Sequence, residues 1–306
     1  MIIRQQAFTG GNDKFLKGGL HCHTTRSDGQ VPPDEVIRLH AEHGYDFLAL
    51  TDHRFYNYTN FAPETNVLIV PGMEIDVSIT SDAGMCFHTV AVGPAQDKNG
   101  YAQDERVPSG RVADAAEYQP YVDALRQRNN LAIYCHPDWS RTPARSFENI
   151  KGCFAMEIWN SGCALELDMD TDNGLIWDEL LQSGRQISCV AVDDGHKREH
   201  HCKGWVMVDA EKRLDAILSA LEGGRFYSSC GPEIYDFYVE DDTVCVRTSP
   251  AAAVKFMWGF RPSRVVRAAD APLTEASAKL NGRKYVRAVV IDKQGRKAWT
   301  NPIYLG

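Results

Sequence analysis

A fold of the α/β class, strands and helices alternating in a parallel sheet or barrel with a small antiparallel β domain after it, is predicted by three features. Continuous apolar runs alternate with helix-patterned stretches between Gly18 and Gly224, as they do where helices cover parallel strands. Most of these runs end in a polar side chain able to ligate a metal, and parallel barrels carry their functional side chains at the carboxyl ends of strands. Beyond Gly231-Pro232 the pattern changes to short alternating runs and turns without a histidine, the mark of antiparallel β-structure. The predicted division is 1–231 for the barrel and 232–306 for the β domain.

The first strand is expected over 18–24. Pro32-Pro33-Asp34-Glu35 then opens a helix in which Val36, Leu39, His40 and His43 recur at helical spacing until Gly44. His40 and His43 read as packing or surface positions. Residues 46–51 form a buried run ending in Thr51-Asp52-His53-Arg54, and 67–70 runs into Gly72-Met73-Glu74. Residues 86–93, carrying His88, follow a turn around Asp82-Ala83-Gly84, and a long loop is expected over 94–117. A helix over 118–128 leads to 131–137 with His136. Strand 154–160, helix 174–183, the run 187–196, strand 205–208 and helix 215–221 complete the series.

The 306 residues suffice for one large domain and one small one. Hydrophobic residues at 43% and charged residues at 24% are ordinary for a globular enzyme. A formal charge of −8 argues against coating nucleic acid or a membrane surface. A small-molecule substrate is expected, with no membrane association and no stable nucleic-acid partner; the oligomeric state is left open. The start, MIIRQQAFTGGND, lacks the apolar run of a signal peptide. The nine cysteines include no CxxC pair and read as reduced thiols of a cytoplasmic protein.

Chemistry concentrates in one ordered set: His21, His23, Asp28, His53, Glu74, His88, His136, Asp194 and His196. Residues i and i+2 of a strand share a face, so His21 and His23 present two imidazoles together. A structural zinc site needs four ligands, usually including cysteine. Nine nitrogen and oxygen donors imply instead a multinuclear centre of two or three divalent ions, zinc, manganese or iron. Glu74 is the natural bridge, because one carboxylate can bind two ions. Asp52, Asp193 and His196 are the candidates for a general acid; the alternative for the two aspartates is to orient a ligating histidine. Arg26, Arg54, Arg141 and Lys197 follow strand-end motifs and are the candidates for binding a phosphate. His200-His201 reads as a loop at the mouth or a surface pair, and Trp139, Trp159 and Tyr227 as pocket lining or core.

The set HxH, SDG, TDH, GxE, a lone His, CHP and DxH, in this order over residues 18 to about 200, resembles the PHP (polymerase and histidinol phosphatase) superfamily. The resemblance implies a distorted (β/α)7 barrel with a two- or three-metal centre. It implies that His21, His23, Glu74 and Asp194 hold a first ion, Glu74, His88 and His136 a second, and Asp28, His53 and His196 a third. Asp28 stands where many relatives have histidine. Residues 224–234 and 298–304 resemble the tail of a two-domain subgroup with a C-terminal β domain. The activity this implies is metal-dependent phosphoesterase action on a small phosphorylated metabolite or nucleotide, through a hydroxide shared by two ions. The alternatives are an amide, carbamate or carboxyl-ester hydrolase using the same centre and a non-catalytic metal-binding module.

Overall fold

A computed structural model describes residues 4–8, 15–80 and 84–305. Part of the predicted turn, Asp82 and Ala83, and part of the amino-terminal lead-in lie outside the described residues. The fold is mixed α/β, with three sheets and helices packed on two of them. Among the described residues no helix is long and apolar enough to cross a membrane.

One sheet runs in the order Ser188–Val192, Cys153–Asn160, Leu131–Tyr134, Cys86–Val92, Gly72–Ile79, Gly110–Val112. Its first three strands are parallel, as their apolar sequences predict. Cys86–Val92 is the exception, antiparallel to both neighbours. The short connection from Ile79 to Cys86 dictates this, since a parallel crossover needs a dozen or more residues. Reversal does not cost the site its histidine. Thr89 pairs with Tyr134, so the beginning of the reversed strand lies beside the end of Leu131–Tyr134, and His88 meets His136.

A second sheet starts from Leu68–Ile69, Phe47–Leu48 and Leu16–Gly19, continues through Trp205–Val208 and Phe226–Ser229, and passes into Lys297–Thr300, Tyr285–Ile291, Ala253–Met257 and Pro262–Arg267. Two isolated bridges, Cys22 with Gly195 and His53 with Glu74, link the chain just beyond Leu16–Gly19 and Phe47–Leu48 with the first sheet at the end of Ser188–Val192 and within Gly72–Ile79. Both bridges fall within the ligand-rich motifs. A four-stranded antiparallel sheet pairs Arg4–Gln6 with Ile234–Glu240, followed by Thr243–Ala251 and Leu273–Lys279.

Helix Pro33–Glu42 begins with proline at its first position, where no backbone donor is needed. Gly44, at φ 73°, takes the left-handed conformation that follows the helix. The predicted loop over 94–117 already contains strand Gly110–Val112 and the start of helix Ala115–Gln127. Asp114 caps that helix by accepting from the backbone N–H of Ala116 and Glu117. The carboxy-terminal strands are braced by a buried ion pair. Arg287 donates from Nη2 to both oxygens of Asp178 on helix Gly174–Gln182, each at 2.7 Å.

Candidate metal centre

Glu74 is the hub. Its Oε2 lies 3.3 Å from His21 Nε2, 3.1 Å from His23 Nε2 and 3.2 Å from His53 Nδ1. Its Oε1 lies 2.9 Å from His88 Nδ1 and 3.3 Å from His136 Nε2. One carboxylate thus divides five imidazoles between its two oxygens. Asp194 Oδ1 faces the first group, 3.4 Å from His21 Nε2 and 3.1 Å from His23 Nε2. Asp28 Oδ2 lies 3.4 Å from His53 Nε2 and 3.5 Å from His196 Nε2. All nine side chains predicted as ligands converge in one cluster.

Local sequence explains the convergence. Cys22 makes the bridge to Gly195, which leaves His21 and His23 on the same side of the chain. The Ser27-Asp28-Gly29 turn then folds back over them. Gly29 permits it: a Cβ there would stand 2.7 Å from the His23 carbonyl. Two ligand candidates hold left-handed backbone, His136 at φ 25° and Asp194 at φ 47°. Non-glycine residues there cluster at functional sites.

The charge arrangement suits divalent cations. Burial alone would lower the His53 and His88 pKa values, but Glu74, joined by Asp28 and Asp76 at His53 and by Cys86 at His88, outweighs it and lifts them to about 11 and about 10. His196 is likewise raised, against burial, to about 9 by Asp28 and Asp194. Glu74 and Asp194 are held well below the carboxylate range, against burial, with His21 the main opposing charge on each. Asp194 Oδ1 and His53 Nδ1 are buried and make no hydrogen bond. Donor atoms grouped this closely have the spacing and chemistry of an ion's coordination shell.

Several supporting residues carry no recognisable motif. Glu157 is fully buried. Its Oε1 lies 2.7 Å from His21 Nδ1, while Oε2 accepts from the backbone N–H of His136 at 2.8 Å and from Asn160 Nδ2 at 2.9 Å. Asn160 also donates to Asp194 Oδ2 at 3.0 Å. These contacts orient ligands from behind. The signal in the sequence was a single charge inside the apolar strand Cys153–Asn160.

Asp52 and Asp193 are placed differently. Asp52 accepts from the backbone N–H of Thr24 and the Ser27 hydroxyl, each at 2.8 Å, and so fixes the turn carrying Asp28. Asp193 accepts from Ser161 and from the backbone N–H groups of Cys202, Lys203 and Gly204. Both are buried, and neither lines the cleft.

The cleft over the cluster has a volume of about 320 Å³, with Trp139, Cys163, Glu166 and Lys197 as its walls. Lys197 Nζ is 3.4 Å from Glu166 Oε1. The three arginines predicted beside it do not line this cleft. Arg26 lies over the rings of Phe55 and Phe61 and binds Asn57 and Asp104. Arg54 faces Asp76, and Arg141 is exposed beside Asp138. His200 and His201 are buried rather than at a mouth or on the surface, and Tyr227 packs in the core against Phe8 and Phe15.

No curated protein sequence matches the chain. Similar solved structures include a two-domain protein from Bacteroides vulgatus containing a predicted PHP-like metal-dependent phosphoesterase. It is 14% identical over 97% of this chain and 96% of its own, with a TM-score of 0.49. An amidohydrolase from Chromobacterium violaceum, with bound sulfate and no metal, is 15% identical over 59% of this chain and 88% of its own, with a TM-score of 0.42. Residues 19–136, the stretch that holds seven of the nine clustered side chains, match the family model of the PHP domain.

Proposed function

We propose that the protein is a metal-dependent hydrolase, acting as a phosphoesterase on a small phosphorylated metabolite or nucleotide. The observation that carries this reading is the division of Glu74, Oε1 to one imidazole pair and Oε2 to another group, on the floor of an open cleft. His21, His23, Glu74 and Asp194 are assigned to a first ion, Glu74, His88 and His136 to a second, and Asp28, His53 and His196 to a third. Divalent ions held there supply Lewis acidity and make water nucleophilic near neutral pH.

The protein's own groups set the rest. Lys197 is the cation on the cleft wall and is assigned to the anionic part of the substrate. His196 Nδ1 donates to the Asp194 carbonyl at 3.0 Å, which leaves Nε2 as its working nitrogen. With the third position filled, Nε2 is a ligand; with it empty, the imidazolium beside Asp28 is the proton donor to the leaving group. Asp52 and Asp193 are assigned to holding the loops that carry the ligands. The ring of strands joined at Cys22–Gly195 and His53–Glu74 supports reading residues 1–231 as the distorted (β/α)7 barrel, with 232–306 as a β domain against it. Nine free cysteines support a cytoplasmic setting.

One observation favours a second reading, amide, carbamate or carboxyl-ester hydrolysis. Lys197 is partnered by Glu166, and the predicted arginines lie outside the cleft, so the wall is less cationic than a phosphate site requires.

Metal analysis of protein purified without added metal, followed by turnover on panels of phosphoesters and of carbamates and amides, tests both. Two or three ions per chain with phosphoester turnover are expected. Glu74→Ala is expected to lower both metal content and turnover by about two orders of magnitude or more. Turnover retained by metal-depleted Glu74→Ala protein overturns the proposal.

A further inference from the structure

We propose that the chain holds a separate, buried site for a divalent cation such as zinc, to which His40, Asp193 and His201 supply three protein donors. One donor atom from each of the three lies within 4.8 Å of the others. Their exposures are 0%, 3% and 3%. His40 comes from the inner face of helix Pro33–Glu42, Asp193 from just beyond strand Ser188–Val192, and His201 from the end of the turn Arg198–His200.

The tautomer of His40 is fixed by its surroundings. Nδ1 lies 2.8 Å from the Val36 carbonyl, which can only accept, so Nδ1 carries a proton. Nε2 faces Asp193 Oδ2, 3.5 Å away, and makes no hydrogen bond. The gap between this nitrogen and the carboxylate takes either a second proton or a cation, and no hydrogen bond closes it. His201 adds two more buried nitrogens without a hydrogen bond, and its ring centroid is 5.4 Å from that of His40. Asp193 Oδ1 is already occupied by Ser161, Lys203 and Gly204, while Oδ2 accepts only from the backbone N–H of Cys202. A free carboxylate lone pair and two imidazole nitrogens therefore converge on one point.

Two imidazoles and one carboxylate are nitrogen and oxygen donors of the kind zinc takes, three of the four positions of its usual shell. The bond from His40 Nδ1 to a backbone carbonyl is the outer contact that ligating histidines make. The site's position also has a purpose. His201 packs against Gly195, where a Cβ would stand 2.4 Å from its Nδ1. Gly195 lies between Asp194 and His196, so an ion here would fasten the segment carrying both to helix Pro33–Glu42. The site does not depend on which reaction the main centre performs.

Zinc content after dialysis against a weak chelator tests the proposal, comparing Glu74→Ala protein with Glu74→Ala/His40→Gln and Glu74→Ala/His201→Gln. Each double variant is expected to hold about one zinc per chain fewer than Glu74→Ala alone. Equal zinc in all three overturns the proposal. Should the double variants fail to fold, nitrogen-15 spectra of the histidine rings in Glu74→Ala protein decide. Movement of His40 Nε2 to a metal-bound shift on adding zinc supports the site. A doubly protonated His40 ring under excess zinc, the signature of a plain ion pair with Asp193, overturns it.

Discussion

Glu157 Oε1 lies 2.7 Å from Nδ1 of His21, and both side chains are buried. The contact directs the other ring nitrogen, Nε2, toward Glu74 and Asp194. Glu157→Gln keeps the shape and removes the charge, so metal affinity is expected to fall about 10- to 100-fold with the fold retained. Competition with a chelator, beside a circular dichroism spectrum, measures both. Unchanged affinity would mean that Glu157 only fills space.

The raised histidine pKa values give metal-depleted protein a definite pH response. A histidine whose folded pKa exceeds its ordinary value near 6.5 contributes stability that is complete below 6.5 and lost as pH rises through the folded value. For His196 and His88 the loss runs from there to about 9 and about 10. Melting temperature of the metal-depleted protein is therefore expected to fall between about pH 7 and pH 10, and less so for the loaded protein. Metal must displace the same protons, so loading at pH 7.5 is expected to release more than about one proton per chain. Calorimetry in buffers of different ionisation enthalpy counts them.

Lys197 separates the two substrate classes. For a phosphoester, Lys197→Ala is expected to raise KM about tenfold, the worth of one charge-assisted hydrogen bond. For a neutral carbamate the change is expected to be small. Arg141→Ala, whose side chain is 66% exposed and outside the cleft, is expected to leave kcat/KM within about twofold for either. A larger effect from Arg141 than from Lys197 would place the substrate elsewhere.

Arg287 and Asp178 are each 2% exposed and form a bidentate pair, with the Arg287 guanidinium 4.5 Å from the Trp177 ring. Arg287→Ala strands a buried carboxylate and is expected to cost about 3–5 kcal/mol of stability. Arg287→Met paired with Asp178→Leu is expected to recover most of it. Urea denaturation of the single and double variants measures the difference.

The candidate metal cluster was legible because its residues fall in short motifs whose order survives in the linear chain. His21, His23 and Asp28 are close in sequence, and His53, Glu74, His88, His136 and Asp194 each end or adjoin an apolar run. Glu157 was not, since one acid inside an apolar strand has no spacing to betray it. The arginines were misplaced for another reason: nearness in sequence does not give side-chain direction. Arg54 adopts φ 64° and turns to Asp76, while Arg26 is drawn onto Phe55 and Phe61. His40 and His201 were hidden because their partnership spans the chain. Strand direction was half legible, with Cys86–Val92 reversed by its short connection rather than by its apolar pattern.

The strand Phe226–Ser229 pairs with Trp205–Val208 on one side and with Lys297–Thr300 on the other. A chain stopped at Gly231 would keep the first partner and lose the second. Tyr227, Ser228 and Ser229 would then present backbone donors and acceptors along an open sheet edge, a template onto which strands from other molecules can add. The last strands of the chain therefore act as a built-in guard against self-association, and an isolated amino-terminal fragment is expected to aggregate even though it contains every residue of the metal cluster.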